Sequence, residues 1–403
     1  MAVGFTGMPE MLPVAGFRIG VASAGIKKPG RRDLVVMELA PGAECAAVFT
    51  RNAFCAAPVV LAREHLGKAQ PRYLLINTGN ANAGTGERGM RDAQACCEAL
   101  AGVVGCAPAE VLPFSTGVIG EPLPVDKIVA SLPAAVTALM DNAWEAAAHG
   151  IMTTDTVPKA ASRRLTIDGK AVTITGIAKG AGMIRPDMAT MLCFVATDAE
   201  VGREWLQTCL EAAVNRSFNR ITVDGDTSTN DACVLVATGA SGVPIERSEA
   251  LTAFSEAVAQ VCEHLAQAIV RDGEGATKFI TVDVDGGCDS DECLKVAYTV
   301  AHSPLVKTAF FASDPNWGRI LAAVGRAGVA DLDLQAITIH LGDVCIVRGG
   351  GRAEDYEEAM GAAVMKEEEI TIRIDLKRGT ARERVWTCVF SYDYVRINAE
   401  YRT

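Results

Sequence analysis

At 403 residues the chain is long for one compact domain and long enough to bury about three quarters of its unfolded surface. Its 49% hydrophobic and 22% charged residues sit near the globular average and exclude a disordered chain, a collagen and a coiled coil. Thirty-eight Lys and Arg against 49 Asp and Glu leave a net charge of −11. No basic stripe accompanies it, so neither nucleic acid nor an anionic membrane is expected as a partner.

Strand-like runs come early and are short: Leu34 to Met37, Ala46 to Phe49 and Tyr73 to Ile76. Asn77 to Gly86, rich in Gly and Asn, reads as a loop. Glu87 to Val104 follows as a helix with small residues on its buried face. A second glycine-bearing loop is expected at Phe114 to Gly120, then a strand at Val172 to Thr175 that runs into Lys179 to Leu192. Cys193 to Ala196 continues as a buried strand, and Trp205 to Val214 as a helix.

The clearest helix lies between Glu246 and Arg271. Leu251, Phe254, Val258, Val261, Leu265 and Ile269 recur there at three- and four-residue steps, the stripe of a helix packed on one side. Phe279 to Val284 reads as a strand. The remainder alternates helix (Ile320 to Val324, Glu354 to Val364) and strand (Ile337 to Leu341, Ile370 to Ile374, Val385 to Phe390). The expected class is mixed α/β, with mostly antiparallel sheets layered with helices. The Gly and Asp residues at 286–291 suggest a boundary between a larger domain, 1–286, and a smaller one, 291–403.

The thirteen cysteines lie among apolar neighbours with no CxxC pair, the pattern of buried thiols in a reducing compartment. The five histidines form no HxxxH or HxH pair, so no metal site is expected. The first thirty residues do not read as a signal peptide, and no uncharged run reaches the ~18 residues of a membrane helix. A cytoplasmic protein is the expectation. There is no GxSxG and no Walker loop. The one GxGxxG, Gly84 to Gly89, is separated from its strand by Asn77 to Ala83, whereas a dinucleotide fingerprint turns directly off the strand.

The stretch Lys179 to Leu192 carries the chemistry. A threonine hydroxyl can attack the carbonyl before it where the backbone is strained, and hydrolysis of the resulting ester leaves that threonine as a new N-terminus. Its α-amine, with a pKa near 8, then serves as an internal general base. Ala189-Thr190, preceded by Gly180 and Gly182, fits that pattern, although a Thr in an apolar run is ordinarily a half-buried strand residue. Ser115-Thr116-Gly117 reads either as a turn or as an oxyanion pocket built from a hydroxyl and an N–H.

Long motifs decide between these readings. GNANAGTG from Gly79, STGVIG from Ser115, IMTTDTVPK from Ile151, KGAGMIRPDMATML from Lys179, ITVDGDTSTND from Ile221, DGEGATKF from Asp272, SDPNWGRI from Ser313 and NAEYRT from Asn398 resemble, in order and spacing, the ornithine acetyltransferase or ArgJ family over essentially the whole chain. The resemblance implies a self-cleaving enzyme of the ArgJ/DmpA-like type with an N-terminal threonine nucleophile. The cut would fall between Ala189 and Thr190, giving an α chain of 1–189 and a β chain of 190–403 assembled as α2β2. It implies transfer of acetyl from N2-acetyl-L-ornithine to L-glutamate by a ping-pong acetyl-threonine mechanism. Thr190 would be the nucleophile, and Thr116 and Gly117 the oxyanion hole. Thr153, Lys179, Thr190, Glu274, Asn398 and Thr403 would bind substrate.

Asp155, Asp224, Asp226 and Asp231, which lie inside these motifs, are expected to have structural or positioning roles. No cofactor is implied, acetyl-CoA being a second acetyl donor in some relatives. An aminopeptidase or amidase on the same nucleophile, and a ligand-binding protein without activity, are the alternatives.

Overall fold

The structure, a computed structural model, describes residues 2–185 and 191–399. Ala189 and Thr190, and Thr403 at the C-terminus, lie outside the described residues.

The chain begins with β1 (Phe17–Ala22), β2 (Leu34–Leu39), β3 (Glu44–Phe49), α1 (Ala57–Lys68), β4 (Tyr73–Asn80), α2 (Gly86–Val104) and β5 (Val111–Val118). Two helices, α3 (Val125–Thr137) and α4 (Trp144–Gly150), lead to the long hairpin of β6 (Lys159–Ile167) and β7 (Lys170–Lys179). Then come β8 (Leu192–Thr197), α5 (Arg203–Arg216), β9 (Ile221–Thr222), β10 (Ala232–Ala237), α6 (Ser248–Arg271) and β11 (Phe279–Gly287). The last part runs α7 (Ser290–Ala301), α8 (Pro304–Phe311), α9 (Trp317–Gly325), β12 (Thr338–Leu341), β13 (Val344–Arg348), β14 (Gly351–Arg352), α10 (Glu358–Val364), β15 (Glu369–Asp375), β16 (Ala381–Cys388) and α11 (Tyr392–Ala399).

Two compact units result: 7–219 with 226–269, and 1–6 with 220–225 and 270–403. The residues at 286–291, where a boundary is expected, fall inside the smaller unit. That glycine- and aspartate-rich stretch is the turn from β11 into α7 inside the smaller unit. Gly286 takes a φ of +73° there, and Asp289 caps α7 by accepting the Glu292 N–H at 2.8 Å.

In the larger unit β1-β2-β4-β5 form one sheet and β3-β10-β8-β7-β6 another. The run Leu34-Val35-Val36-Met37 explains the layering, because successive side chains on a strand point to opposite faces. Val35 and Met37 join Phe114, Phe194 and Val234 in a core between the two sheets. Leu34 and Val36 pack on the other side with Cys97 and Leu100 of α2 and Leu132 of α3. The ring of Phe114 meets that of Phe194 edge-on at 5.1 Å across the two sheets. Beyond the second sheet, Val261 and Leu265 of α6 come so close to β7 that a Cβ on Gly176 would stand 3.3 Å from each. The predicted stripe of α6 is thus its packing face.

The smaller unit holds the seven-stranded sheet β14-β13-β12-β15-β11-β16-β9. Its core takes Val282 and Ile372 from the sheet with Val296, Phe310 and Ile320 from α7, α8 and α9. Most ladders in the three sheets are antiparallel; β4 with β5, β8 with β10, β11 with β15 and β9 with β16 are parallel. The expected fold class holds. Among the described residues no helix is long and apolar enough to cross a membrane, and the thirteen cysteines are free thiols.

Candidate active site

The two segments expected as loops contain strand. Asn77 to Asn80 end β4, and Ser115 to Val118 end β5, side by side in a parallel ladder with Thr78 opposite Thr116 and Gly79 opposite Gly117. Polar residues and glycines are poor strand formers, but here every polar side chain has a place. The Ser115 hydroxyl donates to Asn77 Oδ1 at 2.5 Å. The Asn77 amide donates to the Asn80 carbonyl at 2.9 Å, across the bulge at Gly79 and Asn80. Asn230, just before β10, donates its side-chain amide to the carbonyls of Ala81 and Ser115 at 2.7 and 3.0 Å. Gly117, with a φ of +136°, takes a backbone conformation that a side chain would oppose.

Lys179 is the last residue of β7 and is buried, not the surface lysine its glycine-rich setting suggests. Its ammonium donates to the Thr116 hydroxyl oxygen at 3.1 Å. An oxygen that accepts from an ammonium keeps its own O–H for another acceptor, and the positive charge makes that O–H a stronger donor. A hydroxyl polarised in this way beside the Gly117 backbone can stabilise an anionic oxygen.

Thr153 stands in the loop between α4 and β6. Its N–H donates to Asp155 Oδ2 at 3.0 Å, while Asp155 Oδ1 accepts from Lys159 Nζ at 2.6 Å and from the Gly180 N–H at 2.7 Å. Burial alone would raise the Asp155 carboxyl. The ammonium groups of Lys159 and Lys179 and the two hydrogen bonds to Oδ1 outweigh it and hold the carboxyl well below the usual range. In the larger unit, therefore, Thr116 and Lys179 meet directly, and Asp155 ties Thr153 to the residue after Lys179. Neither Asp155 nor Lys159 is assigned a substrate-binding role by the sequence motifs. Their signal was local, an acid and a base four residues apart within IMTTDTVPK.

Asp231, at the start of β10, accepts the Met191 N–H at 2.8 Å with Oδ1. Its Oδ2 is buried without a hydrogen-bond partner among the described residues. Burial pushes this carboxyl well above the usual carboxylate range. Asp231 thus carries the opposite shift to Asp155.

In the smaller unit, Glu274 lies between two glycines and is buried rather than solvated. The Asn398 side-chain amide donates to Glu274 Oε2 at 2.8 Å. The glycine on one side is required: a Cβ on Gly275 would stand 2.6 Å from the Tyr394 nitrogen at the start of α11. Ser391 fastens the same turn by donating to the Gly275 carbonyl at 2.7 Å, and Tyr394 stacks on Phe390 at 4.9 Å. Glu274 and Asn398, 124 residues apart in sequence, are therefore neighbours. Thr190 and Thr403, the expected nucleophile and last binding residue, and Ala189 on the other side of the expected cut, are outside the described residues. Among those described, no group of three or more His, Cys, Asp or Glu is placed to hold a metal ion.

Comparison with known proteins extends over the whole chain. The family model described as the ArgJ family matches residues 18–403. The chain is 61% identical, over all of both proteins, to the arginine biosynthesis bifunctional protein ArgJ of Pseudomonas fluorescens. It is 62% identical to the protein of that name from Methylococcus capsulatus, over 98% of this chain and 97% of the other. Among solved structures, the arginine biosynthesis bifunctional protein ArgJ of Bacillus halodurans is 41% identical over 51% of this chain and 97% of that one, with a TM-score of 0.49.

Proposed function

The chain belongs to the ArgJ family, and from that premise we propose that it is an acetyltransferase of arginine biosynthesis moving acetyl from N2-acetylornithine to glutamate. The observation that carries this reading is identity of 61% along the entire length of a bifunctional ArgJ protein. The polarised Thr116 hydroxyl beside Gly117 supports it as a place for the developing oxyanion.

On this reading the precursor cuts itself between Ala189 and Thr190 into chains of 1–189 and 190–403. The new α-amine takes the proton from the Thr190 hydroxyl, whose oxygen attacks the acetyl carbonyl of acetylornithine. The Thr116 O–H and the Gly117 N–H stabilise the anionic tetrahedral intermediate, one such donor being worth about 3 kcal/mol. Collapse expels ornithine, its nitrogen reprotonated by the same amine, and leaves an acetyl ester on Thr190. The glutamate amine then attacks that ester, and the proton returns to the threonine oxygen as N-acetylglutamate departs.

One amide is consumed and one formed, so the exchange needs no outside energy source. Lys179 is suited to the α-carboxylate common to both amino acids. Thr153, Glu274, Asn398 and Thr403 complete substrate binding. Acetyl-CoA, a thioester, serves as a second acetyl donor to the same threonine. The enzyme works in the cytoplasm as an α2β2 assembly.

Ornithine release measured with acetylornithine in the presence and absence of glutamate tests the reaction. Release that depends on glutamate is expected. Equal release without it would make the protein an amidase or aminopeptidase.

A further inference from the structure

The Asp155 carboxylate is sequestered completely, at 0% side-chain exposure, with its partner Lys159 at 1%. Its three hydrogen-bond donors come from different parts of the chain: the N–H of Thr153 in the loop after α4, the N–H of Gly180 just past β7, and the ammonium of Lys159 at the start of β6. The two backbone donors bracket the substrate-binding candidates of this unit. Thr153 is itself one, and Gly180 follows Lys179, whose ammonium reaches Thr116. Gly180 has a φ of +154°, so the chain leaves β7 through a conformation that favours glycine, and the bond to Asp155 fixes where it leaves.

An ionised carboxylate is the natural group for this task. It has two oxygens with about four lone-pair sites, whereas an amide has one accepting oxygen and cannot receive all three donors in the same arrangement. Burying that charge is costly unless a counter-charge accompanies it. Lys159 supplies one at 2.6 Å.

We propose that Asp155 is a positioning residue of the acetyl-transfer site. Through the Thr153 and Gly180 amides it sets Thr153 and the Lys179 ammonium in one fixed constellation for the substrate carboxylate, and Lys159 keeps it ionised inside the fold. The proposal rests on the reading of Thr153 and Lys179 as substrate-binding residues given above. Asp155 touches no reacting atom on this account, so its loss acts on binding more than on chemistry.

The test uses the purified full-length protein and two variants, Asp155→Asn and the double variant Asp155→Asn/Lys159→Gln, with the KM for acetylornithine and kcat measured separately. The single variant leaves the Lys159 ammonium without its carboxylate and is expected to be unstable. The double variant removes both charges, and replacing a buried ion pair as a unit is often close to neutral for stability. The double variant is expected to fold with a thermal midpoint near that of the wild type, to raise KM about tenfold, and to leave kcat within about threefold, the signature of lost positioning. A wild-type KM in the double variant, a fall in kcat at constant KM, or failure of the double variant to fold would each overturn the proposal. Absence of glutamate-dependent exchange in the wild-type protein would instead overturn the reading of the reaction itself.

Discussion

Gly117 faces Gly79 so closely across the parallel pair of β4 and β5 that a Cβ built on Gly117 would stand 2.2 Å from the Gly79 carbonyl carbon and 2.5 Å from the Asn80 nitrogen. Both obstacles are backbone and cannot rotate away. With a φ of +136° in addition, Gly117→Ala must open the ladder that presents Thr116. A loss of roughly 1–3 kcal/mol is expected from strain of this kind. Thermal denaturation measures it, and acetyl transfer should fall with it, because the N–H proposed for the oxyanion moves. An unchanged melting temperature with wild-type turnover would contradict the geometry.

The hydroxyl next to it makes a cleaner chemical probe. Thr116→Ala removes the group that Lys179 polarises without disturbing the backbone. Loss of one oxyanion donor typically lowers kcat ~10²–10³-fold, and KM should change little. Thr116→Ser keeps the O–H and should recover most of the rate. Steady-state kinetics on the two variants decide the point.

Asp155 and Asp231 predict opposite pH behaviour. The Asp155 carboxyl is held below its ordinary value, so its stabilisation is complete above the unfolded carboxylate pKa of about 3.9 and is lost as pH falls below it. Thermal midpoints measured downward from pH 5 should drop less steeply in Asp155→Asn/Lys159→Gln than in the wild type.

Asp231 is pushed up by burial. Its stabilisation belongs to the neutral form, is complete below about pH 3.9, and is lost as pH rises through the raised folded value. Asp231→Asn keeps an oxygen for the Met191 N–H. At pH 7 it should be at least as stable as the wild type, a comparison of two melting curves.

The contact between Asn398 and Glu274 is the remaining test of the site. Asn398→Ala removes a hydrogen bond of 2.8 Å from an exposed side chain to the Glu274 carboxylate, an interaction worth about 0.5–1.5 kcal/mol. If Glu274 orients the incoming amino acid, KM for glutamate should rise about tenfold or more while the melting temperature moves only slightly. A loss of stability with KM intact would make the pair purely structural.

Much of this architecture was legible where one physical signal dominated. The stripe from Leu251 to Ile269 announced α6, and the apolar runs at Leu34 and Tyr73 announced strands that bury both faces. Reading failed where local composition and tertiary setting disagreed. Asn77 to Asn80 and Ser115 to Gly117 look like loops, yet they end strands whose polar side chains bond to one another and to Asn230. No expectation covered α3, which runs through Pro133 and buries Ile128, Leu132 and Ala135. For the site, the motifs supplied residue types but not proximity: the bond from Lys179 to Thr116 spans 63 residues of sequence, and no periodicity encodes that distance.

The five-stranded sheet gives the proposed cut a mechanical meaning. In the order β3-β10-β8-β7-β6, strands β3, β7 and β6 precede residue 189, while β10 and β8 follow residue 190. Two neighbouring ladders, β3 with β10 and β7 with β8, would join the severed halves on either side. Scission would therefore leave the pieces woven together like the fingers of clasped hands. They should travel as a single species through any non-denaturing column, and neither half could be exchanged for a fresh copy without unravelling the sheet.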